Sequence, residues 1–189
     1  ATSGLTMRDD LRAALDYLCS RTDIDKRRIG VLAHSLGAFG AVLALGSGEQ
    51  RIKALVTDAM PARLTAMVAA ELSRRRLPAR PFMLMIPLIW WMRSGVSKQQ
   101  FDPILAIERS TAPILMVHSR SDEFIPATEL EYVLSRIERK VAHLYLEGSG
   151  HSGSWKQDAF WNEALPFFRK HLAKTAGGAA AESAEAYEI

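Results

Sequence analysis

Three residues of this 189-residue chain have the types and the setting for acyl-transfer chemistry. They are Ser35 in Ala33-His34-Ser35-Leu36-Gly37, Asp122 in His118-Ser119-Arg120-Ser121-Asp122-Glu123-Phe124-Ile125-Pro126, and His151 in Glu147-Gly148-Ser149-Gly150-His151-Ser152. Ser35 stands where the apolar run Ile29 to Ala33, read as a short buried strand, turns at once into a helix from Leu36 to about Leu45. A turn this sharp holds a serine strained with its hydroxyl exposed, and small residues such as Ala33 and Gly37 are expected beside it because larger ones would collide. The helix N-terminus also presents free backbone N–H groups to a developing oxyanion. A serine before a helix is also an ordinary N-cap, so the reading depends on partners elsewhere in the chain.

Those partners follow in a consistent order. Strands are expected over Lys53 to Thr57, Ile114 to His118 and Ala142 to Leu146, alternating with helices over Met7 to Ser20, Pro126 to Glu138 and Trp155 to Leu172. Alternating strands and helices imply a parallel sheet flanked by helices, an α/β fold, in which ligands bind at the C-terminal strand ends. Asp122 follows the third strand and His151 the fourth, so three strands deliver serine, acid and histidine to one rim.

Other residues compete for these places. His34 is expected to point away from the site, His118 to end a strand without a catalytic part, and His143 and His171 to be structural. Asp58, at the end of the second strand, is the alternative acid; Glu123 is expected to face the other way, and Asp102 lies in an insertion.

The elbow AHSLG, the segment HSRSDEFIP and the loop GSGH resemble the α/β-hydrolase superfamily over Thr6 to about Leu172. Within it the chain looks most like the branch of serine aminopeptidases, monoacylglycerol lipases and prolyl-oligopeptidase-type catalytic domains. The resemblance implies that Ser35 attacks an acyl carbonyl, that His151 relays the proton, and that Asp122 orients the imidazole. It further implies that the Leu36 N–H is one half of the oxyanion hole, with no metal or organic cofactor. Members of the superfamily carry several strands ahead of the elbow strand, one followed by the second oxyanion donor. The expectation is therefore a partial catalytic domain over 1–172, the C-terminal portion of a longer enzyme. Half an oxyanion hole costs roughly two to three orders of magnitude in rate, so the isolated portion is expected to be inactive. The alternative function is a non-catalytic ligand-binding or interaction module on the same fold.

The segment 62–108 reads as a helical cap insertion interrupted by Pro78, Pro81, Pro87, Gly95 and Pro103. Its apolar run, with Phe82, Trp90 and Trp91, is read either as lining for a small-molecule acyl substrate or as packing of the cap onto the body. From Phe82 to Met92 that run is too short for a membrane span. The tail 173–189, made of Ala, Gly, Glu and Ser, is expected to be disordered. With 48% hydrophobic residues, 24% charged residues and net charge +3, the chain fits one globular domain. The cluster Arg74-Arg75-Arg76 with Arg80 reads as a solvated helix end rather than a nucleic-acid site, since no aromatic residues are interleaved. The single Cys19 reads as core packing and leans toward a reducing, cytoplasmic setting.

Overall fold

A computed structural model describes residues 4–63, 65, 68–69, 72–73, 75–78 and 101–173. Its elements run α1 (Gly4–Ser20), β1 (Ile29–His34), α2 (Ser35–Gly46), β2 (Ile52–Asp58), α3 (Pro103–Arg109), β3 (Ile114–Ser119), α4 (Thr128–Leu134), β4 (Ala142–Leu146), a 3-10 turn (Ser154–Lys156) and α5 (Asp158–Leu172). The four strands pair in sequence order, all parallel. His34 stands in register with Asp58, and Asp58 with Val117, so the C-terminal strand ends share one edge.

Alternation along the strands assigns each face its cover. Leu55, Ile114 and Met116 point into one layer with Leu15 of α1, Phe39 and Val42 of α2, and Leu130 and Val133 of α4. Val56, Leu115 and Val117 point the other way, onto Phe160 and Ala164 of α5. With both faces covered, the central strands β2 and β3 are buried along nearly their whole length, whereas the edge strands β1 and β4 are partly exposed.

Helix α2 is buried over Ala38 to Leu45, apolar all round, because it lies between α1, α3 and the sheet. Helix α3 starts on Pro103 and is capped by Asp102, whose Oδ1 accepts from the N–H of Ile104 at 2.9 Å and of Leu105 at 3.3 Å. Asp102 is thus a helix cap with its carboxylate spent on backbone.

The observed boundaries differ from the expected ones mainly around α4 and α5. The segment expected as one helix from Pro126 to Glu138 is helical only over Thr128–Leu134. Beyond it the Arg139 guanidinium takes the carbonyls of Ile107 and Ala112, each at 3.0 Å, and that of Ser110, which pulls the chain out of the helical path toward β4. The last helix opens with a separate 3-10 turn before Asp158. Phe82, Trp90 and Trp91, most of the cap, and the tail beyond Ala173 lie outside the described residues.

Helices α2 and α3 touch through Gly46, where a Cβ would stand 2.3 Å from the Cα of Ala106. Backbone cannot yield as a side-chain tip can. Gly46→Ala is therefore expected to cost about 1–3 kcal/mol, read as a lower urea midpoint at unchanged slope.

Candidate active site

Ser35 is the first residue of α2 and has φ of 53°, a left-handed value that costs a non-glycine residue roughly 1 kcal/mol or more. The preceding His34 is fully extended (φ −121°, ψ 143°), so the chain passes from strand to helix through this one strained residue. Helix α2 has no side-chain cap, and the Ser35 hydroxyl is not spent on the helix. It lies 3.1 Å from His151 Nε2 instead, which removes the N-cap reading. The expected crowding around Gly37 is not found: no described atom comes within 4 Å of where a Cβ would stand.

On its other side the His151 ring meets Asp122, Nδ1 to Oδ2, at 2.8 Å. The Asp122 side chain is fully buried, and its second oxygen, Oδ1, accepts from the N–H groups of Phe124 and Ile125, both at 2.8 Å. Three donors on one buried carboxylate fix its direction. An Nδ1–H held by a carboxylate leaves Nε2 as the acceptor, the tautomer able to take a proton from Ser35.

The loops carrying acid and histidine are braced together. The Gly150 N–H donates to Ser121 Oγ at 3.2 Å, and the Arg120 N–H donates to the Leu146 carbonyl at 2.8 Å. His118, buried at the end of β3, donates from Nε2 to the Ile125 carbonyl at 2.8 Å and so supports the acid loop from beneath. Gly148 and Gly150 have φ of +69° and +60°, values that turn the chain tightly and that glycine adopts without strain.

Asp58 is 2% exposed and sits one strand over from His34, but the ring nitrogen of His151 facing a carboxylate is already held by Asp122. Burial pushes the Asp58 carboxyl up from the ordinary carboxylate range; the Ser154 hydroxyl and the histidines His34, His118 and His151 pull it part of the way back. Glu123 is exposed, as expected. His143 lies exposed on β4 against Tyr145, and His171 packs on Phe167 in α5, so neither reaches the rim.

A further expectation is overturned at His34. His34 does not point away: its Nε2 lies 2.7 Å from the His151 carbonyl, and the two rings are 4.8 Å apart. The strand pattern gives the side of the sheet on which His34 starts, but not the loop that arrives there from far along the chain. The clasp of Arg63 on the buried Glu129 was also not foreseen. Glu129 accepts from the Ala62 N–H at 3.1 Å, the Arg63 N–H at 2.7 Å and the Arg63 guanidinium, pinning the segment that leaves β2 beside the rim. A glutamate in the first turn of an amphipathic helix gives no sign in sequence that it faces inward.

Among the described residues no group of His, Cys, Asp and Glu is arranged to hold a metal ion, and no helix is long and apolar enough to cross a membrane.

A four-stranded parallel sheet with helices on both faces, bearing a serine elbow and an acid and histidine on the following strand ends, defines an α/β-hydrolase fold. More narrowly, the chain belongs to the prolyl oligopeptidase family, whose model matches residues 3–175. It is similar to the α/β-hydrolase domain-containing protein WAV2 of Arabidopsis thaliana, 24% identical over 179 residues that cover 86% of this chain and 53% of the relative. Its fold is like that of a Mycobacterium tuberculosis puromycin-hydrolyzing peptidase, with TM-score 0.68 and 20% identity over 90% of this chain and 26% of that one. It is also like the esterase domain of a Rhodothermus marinus protein, with TM-score 0.62 and 17% identity over 92% of this chain and 71% of that one. The chain spans about half the length of the curated relatives it matches.

The left-handed Ser35 gives a stability test separate from activity. Ser35→Gly and Ser35→Ala both delete the hydroxyl, but only glycine relieves the backbone. The glycine variant is expected to be more stable than the alanine variant by about 1 kcal/mol in chemical denaturation.

Proposed function

We propose that this chain carries the acyl-transfer machinery of a serine hydrolase, cleaving carboxylic ester, thioester or peptide bonds through an acyl-enzyme. The observation that carries the reading is the His151 imidazole between the Ser35 hydroxyl at 3.1 Å and the Asp122 carboxylate at 2.8 Å. A bound peptidase or esterase substrate presents a carbonyl carbon, and Ser35 Oγ adds to it while His151 Nε2 takes the hydroxyl proton. Asp122 keeps the imidazole in its working tautomer and stabilises the imidazolium. As the tetrahedral intermediate collapses, His151 returns the proton to the leaving alcohol, thiol or amine. Water then adds to the acyl-enzyme by the same route and restores Ser35.

The Leu36 N–H, next after the serine at the start of α2, supplies one donor to the oxyanion. A second donor of this kind is worth roughly 10²–10³ in rate. Leu36 is the one donor we assign among the described residues, so the 189 residues measured alone are expected to turn over slowly. Family membership and the peptidase and esterase among the structural neighbours support hydrolysis as the class of reaction. The substrate side rests on the cap: we assign Phe82, Trp90 and Trp91 to an acyl-binding wall, which makes medium and long acyl groups better substrates than acetyl.

Two measurements test this reading. A fluorophosphonate probe is expected to label wild type at a single site and to leave Ser35→Ala blank, while Asp122→Asn labels slower by roughly three to four orders of magnitude, the scale seen when a triad acid is lost. Equal labelling of Ser35→Ala overturns the nucleophile. Across a p-nitrophenyl ester series, octanoate is expected to outrun acetate; equal kcat/KM overturns the acyl-wall assignment and leaves the triad standing.

A further inference from the structure

One buried charged group at the rim takes no part in the mechanism above. Asp58 ends β2, is 2% exposed, and its Oδ1 has no hydrogen-bond partner among the described residues. The hydroxyl of Ser154, fully buried and with no other partner among the described residues, lies near enough to favour the charged carboxylate. A buried carboxylate left this poorly satisfied is costly, and an apolar or amide side chain would serve packing better. Its nearest cation-forming group is His34, Nε2 to Oδ2 at 3.8 Å, in register on the adjacent strand.

His34 turns this charge toward the chemistry. Its Nε2 stands 2.7 Å from a carbonyl, the His151 main-chain oxygen, so that nitrogen bears the proton and donates. The same edge of the ring faces the Asp58 carboxylate. One N–H therefore faces the Asp58 carboxyl at the strand end while it holds the backbone of the residue that must reach Ser35. The His151 ring is then bounded by His34 at 4.8 Å and Phe124 at 5.3 Å, with its two nitrogens on Ser35 and Asp122.

We infer that Asp58 and His34 form a positioning pair for the His151 base: the buried carboxylate holds the His34 Nε2–H on the His151 carbonyl, and this contact sets the ring within reach of Ser35. The pair touches no substrate and acts through His151 alone. The inference rests on the serine-hydrolase reading. The ionisable groups facing Asp58 are His34 of β1, His118 of β3 and His151, and Asp122 in turn contacts both His118 and His151.

The test is the inactivation of the 189-residue chain by a fluorophosphonate, resolved into the maximal rate and the half-saturating probe concentration. His34→Leu and Asp58→Asn are expected to lower the maximal rate about tenfold to a hundredfold, the scale of a misplaced base, with half-saturation within about twofold of wild type. His34→Gln, whose amide nitrogen can replace Nε2, is expected to recover most of the rate. Asp58→Asn also removes a carboxylate that interacts with the His151 ring, so the acid limb of the rate profile is expected to move to lower pH.

A structural role predicts the opposite in stability. Burial raises the Asp58 carboxyl in the fold, so its ionisation destabilises the folded state as pH rises above the ordinary carboxylate range. Asp58→Asn is accordingly expected to melt at or above wild type at neutral pH, with the gain fading in acid, while the labelling rate falls. Wild-type labelling rates in both Asp58→Asn and His34→Leu, with Ser35→Ala blank, overturn the pair and spare the triad. A slowed Asp58→Asn that melts well below wild type also overturns it, because misfolding then accounts for the loss. Absence of labelling in wild type overturns the serine-hydrolase reading and the pair with it.

Discussion

Everything at the rim depends on bringing one imidazole within hydrogen-bond distance of groups delivered by different strands. Neighbouring strands lie about 4.8 Å apart, so the end of β1 and the end of β3 are separated by roughly 10 Å with β2 between them. No side chain of an ideal strand bridges that gap. The His151 loop, leaving β4 and crossing back over the strand ends, fills it. Its ring spans from Ser35 to Asp122, and its carbonyl is held by His34. A contact of this kind contributes only about 1 kcal/mol to stability, but each removes a degree of freedom from the ring.

Three buried carboxylates show how the fold spends its polar groups. Glu129 accepts from two backbone N–H groups and a guanidinium, so it is a structural anchor with its charge compensated. Asp122 accepts from two backbone N–H groups and the imidazole, which satisfy and aim it. Asp58 alone lacks such donors, and its environment raises rather than lowers its carboxyl. The contrast follows from chain geometry. Asp122 lies in a loop that folds its own N–H groups back onto it, whereas Asp58 is the last residue of an interior strand whose N–H groups face its neighbours.

Much of this was legible in sequence for identifiable reasons. Strands β1 to β4 are short apolar runs bounded by turn residues, and the order serine, acid, histidine falls on successive strand ends. What escaped was set by contacts between distant segments. His34 meets a carbonyl 117 positions away, and Glu129 meets Arg63 from 66 away. Neither is encoded in local periodicity. The short α4 has the same origin, since the Arg139 hydrogen bonds that divert the chain reach back to the carbonyls after α3. At the elbow no described atom crowds Gly37, and the strain sits instead in the backbone of Ser35 itself, which no residue type beside it announces.

That strain explains why α2 is the most deeply buried helix of the set. A left-handed serine persists only where its surroundings over-determine it. The residues from Ala38 to Leu45 are buried, and a glycine within that stretch and one just past it let neighbours approach: Gly40 against Met7 and the backbone of Arg8, Gly46 against Ala106. Helix α2 therefore cannot slide or rotate to relax the turn at its start without separating α1, α3 and the sheet together. The apolar core and the strained serine are one device. Packing far from the rim holds the Ser35 hydroxyl where the imidazole meets it, and the glycines that allow such packing matter to the chemistry although they never touch it.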